Sequence, residues 1–88
     1  MERALFEALR GYRLALAREH GLPPYVIASD RTLRELAELR PRTLDALRLA
    51  HGIGPHKVER YGTGLLAVVT RTLAAIGVVD PVWQRQES

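Results

Sequence analysis

Apolar residues recur at helical spacing along most of this chain. Leu5, Leu9, Tyr12 and Leu16 fall at i, i+4, i+7 and i+11, one stripe of a helix over about 2–20. The opposite side carries Arg3, Glu7, Arg10, Leu14 and Arg18, and Gly21 supplies the stop. Leu22-Pro23-Pro24-Tyr25 cannot carry that helix onward, because a proline fixes its own φ and restricts the residue before it. Val26-Ile27-Ala28 then reads as an apolar plug of about one 3₁₀ turn, packed beneath the loop.

Ser29 or Asp30 caps a second helix over about 31–39, with Leu33, Leu36 and Ala37 facing inward. Pro41 separates it from a third, about 44–51, which Thr43 caps and Asp45 favours from the first turn. That helix is too short and Leu-rich to stand alone, so it must wedge into the core. Helical signal resumes at Pro55 and runs to about Ile76, with Val58, Tyr61, Leu65, Val69, Leu73 and Ile76 as its inner stripe. Gly62 and Gly64 interrupt the pattern and predict a kink or a break there. Beyond it, Asp80-Pro81 and charged residues read as a tail, 78–88, held if at all by Val82 and Trp83. The pattern predicts an all-α protein, a compact bundle of five short helices over 1–77, with a helix-turn-helix joined by Gly-Ile-Gly.

Composition narrows the class. Eighty-eight residues make one domain. The absence of cysteine excludes disulfides and thiolate metal sites. No apolar run approaches the roughly 20 residues of a membrane helix. With Glu2 and Glu7 early and no signal-like apolar region, a soluble cytoplasmic protein is expected. Net charge is +3, and Arg supplies nearly all of the 13 basic residues. Guanidinium forks suit phosphate, although GC-rich codon usage accounts for an Arg excess as readily. So mild a charge acts through placement rather than amount.

Placement points to residues 49–61. Gly52 and Gly54 flank Ile53, allow φ > 0 and leave main-chain amides uncovered. Pro55 suits the first position of a helix, and a helix start behind bare glycine amides attracts phosphate. Lys57, Arg60 and Arg71 lie opposite Val58, Leu65 and Val69, with Gly64 and Ala67 leaving a low strip between them for a phosphate strand. Tyr25, following two prolines, is a pre-ordered platform for stacking a base. His51 and His56 bracket the turn; without a third ligand they make no metal site, and when protonated they donate to phosphate, strengthening binding near pH 6. His20 ends the first helix, where it suits the dipole.

Other charges qualify this picture. Arg10, Arg13 and Arg18 give the first helix a basic outer side, with Glu7 and Glu19 at pairing distance along it. Asp30, Glu35 and Glu38 make the second helix acidic, a surface for a basic neighbouring domain rather than for phosphate. Catalysis has no support: the three histidines and ten carboxylates form no nucleophile–base or metal pattern, and no P-loop sequence occurs.

With these pieces placed, the chain resembles an HRDC domain, the helicase-and-RNase-D C-terminal module. The matching residues are Leu5-Phe6 with Leu9-Arg10, Leu22-Pro23-Pro24-Tyr25-Val26-Ile27, Asp30 with Leu33, Leu36-Ala37, Pro41, Leu47, and Gly52-Ile53-Gly54 with Lys57 and Arg60-Tyr61-Gly62. They span about 5–73, and the Pro-Pro-Tyr segment with the Gly-Ile-Gly turn looks like the bacterial RecQ kind. The resemblance implies a five-helix accessory module, not a motor and needing no cofactor, that contacts single-stranded or branched DNA and the other domains of a helicase. It also implies a ligand-contacting role for Tyr25. A monomer in a bacterial, nucleoid-associated setting is expected.

Overall fold

The computed structural model describes residues 3–77, and those residues form five helices with no strand. They are α1 (Arg3–His20), α2 (Pro24–Ile27), α3 (Asp30–Leu39), α4 (Leu44–Leu47) and α5 (Pro55–Ala75). The expected tail at 78–88, with Val82 and Trp83, lies outside the described residues.

Helix α1 packs against α2, α3 and α5, and α4 packs against α5. Leu5 and Leu9 of α1, Leu33, Leu36 and Ala37 of α3, Leu47 of α4, and Val69 and Leu73 of α5 are sealed from solvent. Each stripe thus buries an aliphatic row, the dominant favourable term in a domain of this size. Tyr12 and Leu16 are only half-buried at the lower end of the α1 stripe, where Ala17 is buried instead. Ile76 stays exposed just beyond the end of α5.

Local signals explain the boundaries. Past α1, Leu22 N–H reaches back to the Ala17 carbonyl at 2.9 Å across Gly21. Between the two candidate caps of α3, Ser29 is the one used: its Oγ accepts from Thr32 N–H at 3.1 Å. Thr43 Oγ1 accepts from Ala46 N–H at 3.0 Å. Arg13 ties α1 to the α2–α3 junction, with Nη1 donating to the Ala28 carbonyl at 3.0 Å and pairing with Asp30 at 2.8 Å. It therefore leaves the basic outer side on which the sequence put it. Its buried Nε has no partner among the described residues.

Three expectations change. The plug at 26–28 is one turn of α-helix, started by Pro24, with Ile27 and Ala28 buried but Val26 exposed. Helix α4 stops at Leu47, and turns carry the chain on to Ala50 and outward at Leu49, which is 73% exposed. Most telling, α5 runs unbroken through Gly62 and Gly64. A Cβ at Gly62 would stand 2.9 Å from Leu44 Cδ2, and one at Gly64 would collide with the Tyr12 hydroxyl and lie 2.6 Å from its Cζ. These glycines give up helix propensity so that α4 and α1 can come close.

Candidate nucleic-acid interface

Between α4 and α5 the bend is built from one positive-φ residue and one buried anchor. Ala50 N–H bonds the Leu47 carbonyl at 3.1 Å, and Ile53 N–H bonds the Ala50 carbonyl at 3.2 Å. Gly52 takes φ 81°, and Ile53, 5% exposed, pins the bend to the core. Gly54 does not share the positive φ expected of it: at φ −97° and ψ −178° it is extended. Its use is space, since beyond its own chain neighbours no atom lies within 4 Å of where its Cβ would stand.

Gly54 is the cap of α5 and has no side chain to satisfy the first amides. Pro55 carries no N–H, and the first helical bond runs from Val58 N–H to the Gly54 carbonyl at 3.0 Å. The His56 and Lys57 amides, in the first turn, thus have no intrahelical acceptor. With the positive end of the α5 dipole behind them, they form an anion-attracting start. Pro55 and His56 are exposed and Lys57 is half-buried. Lys57 and Arg60 pair with no carboxylate among the described residues, and the Arg60 guanidinium lies over the Tyr61 ring at 5.7 Å.

A second group holds the bend from α3. Glu35 Oε1 accepts from His51 N–H at 2.8 Å, and Thr32 Oγ1 donates to the His51 carbonyl at 2.6 Å. Having given its proton to that carbonyl, Thr32 Oγ1 accepts from Ser29 Oγ at 3.0 Å. The second oxygen of Glu35 accepts from Arg31 Nε at 3.1 Å. Glu35 is held below the ordinary carboxylate range chiefly by the His51 amide, with burial opposing and Arg31 assisting. The Asp30 carboxyl is likewise lowered, by the Arg13 hydrogen bond and charge.

The fold therefore brings His51, Gly52, Gly54, His56, Lys57 and Arg60 together at one end of α5, and adds Glu35 to them. Tyr25 stands on α2, 71% exposed. An open groove of about 370 Å³ runs beside it, lined by Glu7, Arg10, Gly11, Arg13, Leu14 and Pro24. Arg71 is exposed and lies toward the far end of α5 from the bend. The low strip expected at Gly64 is absent, because Tyr12 fills it from α1. Of the acidic residues on α3, Asp30 faces Arg13 and Glu35 faces the bend, and Glu38 is exposed.

Sequence reasoning missed Thr32. A signal existed: Thr32 shares a helix face with Leu36, four residues on, and a polar residue on an apolar face needs a buried partner. Among the described residues, no three His, Asp, Glu or Cys side chains group to hold a metal ion, and no helix is long and apolar enough to cross a membrane.

Known proteins resemble this chain in sequence and in fold. The family model for the HRDC domain matches residues 2–69. The ATP-dependent DNA helicase UvrD2 of Mycobacterium tuberculosis is 39% identical over 69 residues, 78% of this chain and 10% of that helicase. The ATP-dependent DNA helicase RecQ of Bacillus subtilis is 43% identical over 58 residues, 66% of this chain and 10% of that helicase. The chain thus spans about a tenth of the length of the curated relatives it matches. Among solved structures, D. radiodurans RecQ HRDC domain 3 superposes with a TM-score of 0.79 at 36% identity, covering 83% of this chain and 96% of that one. On the family match, the shared helicase relatives and the five-helix architecture together, this chain belongs to the HRDC domain family.

Proposed function

We propose that this chain is an accessory, non-catalytic domain of a RecQ-type DNA helicase, binding single-stranded or junction DNA weakly through backbone phosphates and a stacked base. The observation that carries the reading is the start of α5. There an extended glycine with open space around it caps the helix, and two first-turn amides share its end with Lys57 and Arg60, which pair with no carboxylate among the described residues. Phosphate oxygens would accept from the His56 and Lys57 amides, with Lys57 and Arg60 assisting and His51 and His56 adding charge as they protonate. Tyr25 would stack a base of the same strand.

Contacts this few predict a Kd on the order of 10⁻⁴–10⁻⁶ M at physiological salt. Titration with fluorescently labelled single strand at low and moderate salt tests it. Affinity should fall as salt rises, Lys57→Ala should weaken it further, and Tyr25→Ala should cost about 1–3 kcal/mol. Binding indifferent to both salt and Lys57 would overturn the phosphate model. The competing reading, an acidic α3 docked on a basic sister domain, has less behind it. Asp30 is paired with Arg13, and Glu35 with the His51 amide and Arg31.

A further inference from the structure

We infer that Glu35 is a positioning residue that also limits the strength of the bend as an anion site: its carboxylate holds the His51 amide in place and opposes the phosphate bound beside it. The inference rests on reading the bend as a phosphate site, and its test separates the two.

Both peptides flanking His51 are gripped from α3. Glu35 takes the N–H of one at 2.8 Å, and Thr32 gives its hydroxyl proton to the carbonyl of the other at 2.6 Å. Gly52 follows at once with φ 81°, and a Cβ there would stand 2.9 Å from Thr32 Oγ1, so the grip and the glycine require each other. Thr32 is 1% exposed and its hydroxyl is fully engaged, a buried polar contact of the kind that fixes one geometry.

Holding an amide needs only a neutral acceptor. Glu35 brings a full negative charge to a cluster whose other ionisable groups are His51, His56, Lys57, Glu59 and Arg60, and it is the carboxylate bonded to the bend itself. The Arg31 ion pair at 3.1 Å offsets it in part, yet the Arg31 side chain is well exposed and the pair is screened by solvent. A phosphate held at the proposed site would meet this like charge from the other side of the bend. Both residues of the grip thus favour binding by geometry, and Glu35 alone also opposes it by charge.

Glu35→Gln keeps an acceptor for the His51 amide and removes the charge. The full chain and this variant are titrated with an oligothymidylate of about twelve nucleotides, a length within the range that single-strand-binding OB folds cover. Glu35→Gln is expected to bind about 2- to 5-fold more tightly at low salt, the scale of one solvent-screened charge contact. That gain should vanish toward 0.5 M salt, at a screening length of roughly 4 Å, while the His51 and Gly52 amide resonances stay in place. Thr32→Val, which leaves the charge and removes the hydroxyl, is expected to bind more weakly than the wild type.

Equal or weaker binding by Glu35→Gln, with wild-type binding still dependent on Lys57, would reduce Glu35 to a structural residue and leave the phosphate reading standing. A gain that persists undiminished at high salt would also overturn the charge role. Wild-type binding that ignores both salt and Lys57 would remove the phosphate site and this inference with it.

Discussion

At Gly52-Ile53-Gly54 the chain turns between two helices, whereas at Gly62-Thr63-Gly64 the same spacing lies inside one unbroken helix. In the first pair the glycines serve the backbone: Gly52 adopts a left-handed φ and Gly54 keeps the helix start clear. In the second they serve packing, since the missing side chains admit Leu44 from α4 and Tyr12 from α1. Glycine spacing alone therefore does not say whether a helix ends. The neighbours decide: a buried β-branched residue and a proline surround the first pair, and good helix stripes run through the second.

Substituting the four glycines one at a time separates these roles. Gly64→Ala should cost the most, about 1–3 kcal/mol, because the half-buried Tyr12 ring must move off its seat. Urea unfolding at unchanged slope measures it, and in a Tyr12→Ala background the same substitution should cost far less. An unaffected midpoint would mean that α1 does not approach α5 through this glycine. Gly52→Ala comes next at about 1–2 kcal/mol, from the unfavourable φ, with the Thr32 contact added.

Gly62→Ala should cost less than about 1 kcal/mol, since the exposed Leu44 tip can yield and alanine regains helix propensity. Gly54→Ala should leave stability within about 0.5 kcal/mol, its φ being ordinary and its surroundings open. It should nevertheless weaken single-strand binding, because the new methyl takes up open space at the start of α5 where the proposed strand would lie. If Gly54→Ala destabilised the fold as much as Gly52→Ala, the division of labour within the bend would fail.

Acid gives the gentlest test. Glu35 has its carboxyl lowered in the folded state, so its contribution is complete above the ordinary value of 4.5 and is lost as pH falls through the folded value. Amide exchange at His51 should rise in that range, while the amides around Gly64, which depend on no carboxylate, stay protected. Simultaneous loosening of both would show global unfolding instead.

Much of this architecture was legible in advance. The rows Leu5/Leu9, Leu33/Leu36 and Leu65/Val69/Leu73 are spaced for helices and are buried as that spacing implies. The caps at Ser29 and Thr43 follow from short hydroxyl side chains before apolar runs. What escaped depends on contacts between distant residues. Arg13 read as a surface cation because its partners, the Ala28 carbonyl and Asp30, are 15 and 17 positions away. Glu35 read as part of an acidic face, yet it holds an amide 16 positions along the chain. Gly62 and Gly64 read as breakers because the helices that fill their space come from elsewhere in the sequence.

One chain of short bonds links the two proposed contact points. Arg13 fastens the carbonyl at the end of the Tyr25 helix, Ser29 begins the next helix, and Ser29 leads through Thr32 to the carbonyl of His51. The spacing between the Tyr25 helix and the bend is accordingly held by side-chain bonds from α1 and α3. On the proposed reading, a strand lying across both points would meet them as two marks on a ruler whose spacing this scaffold sets.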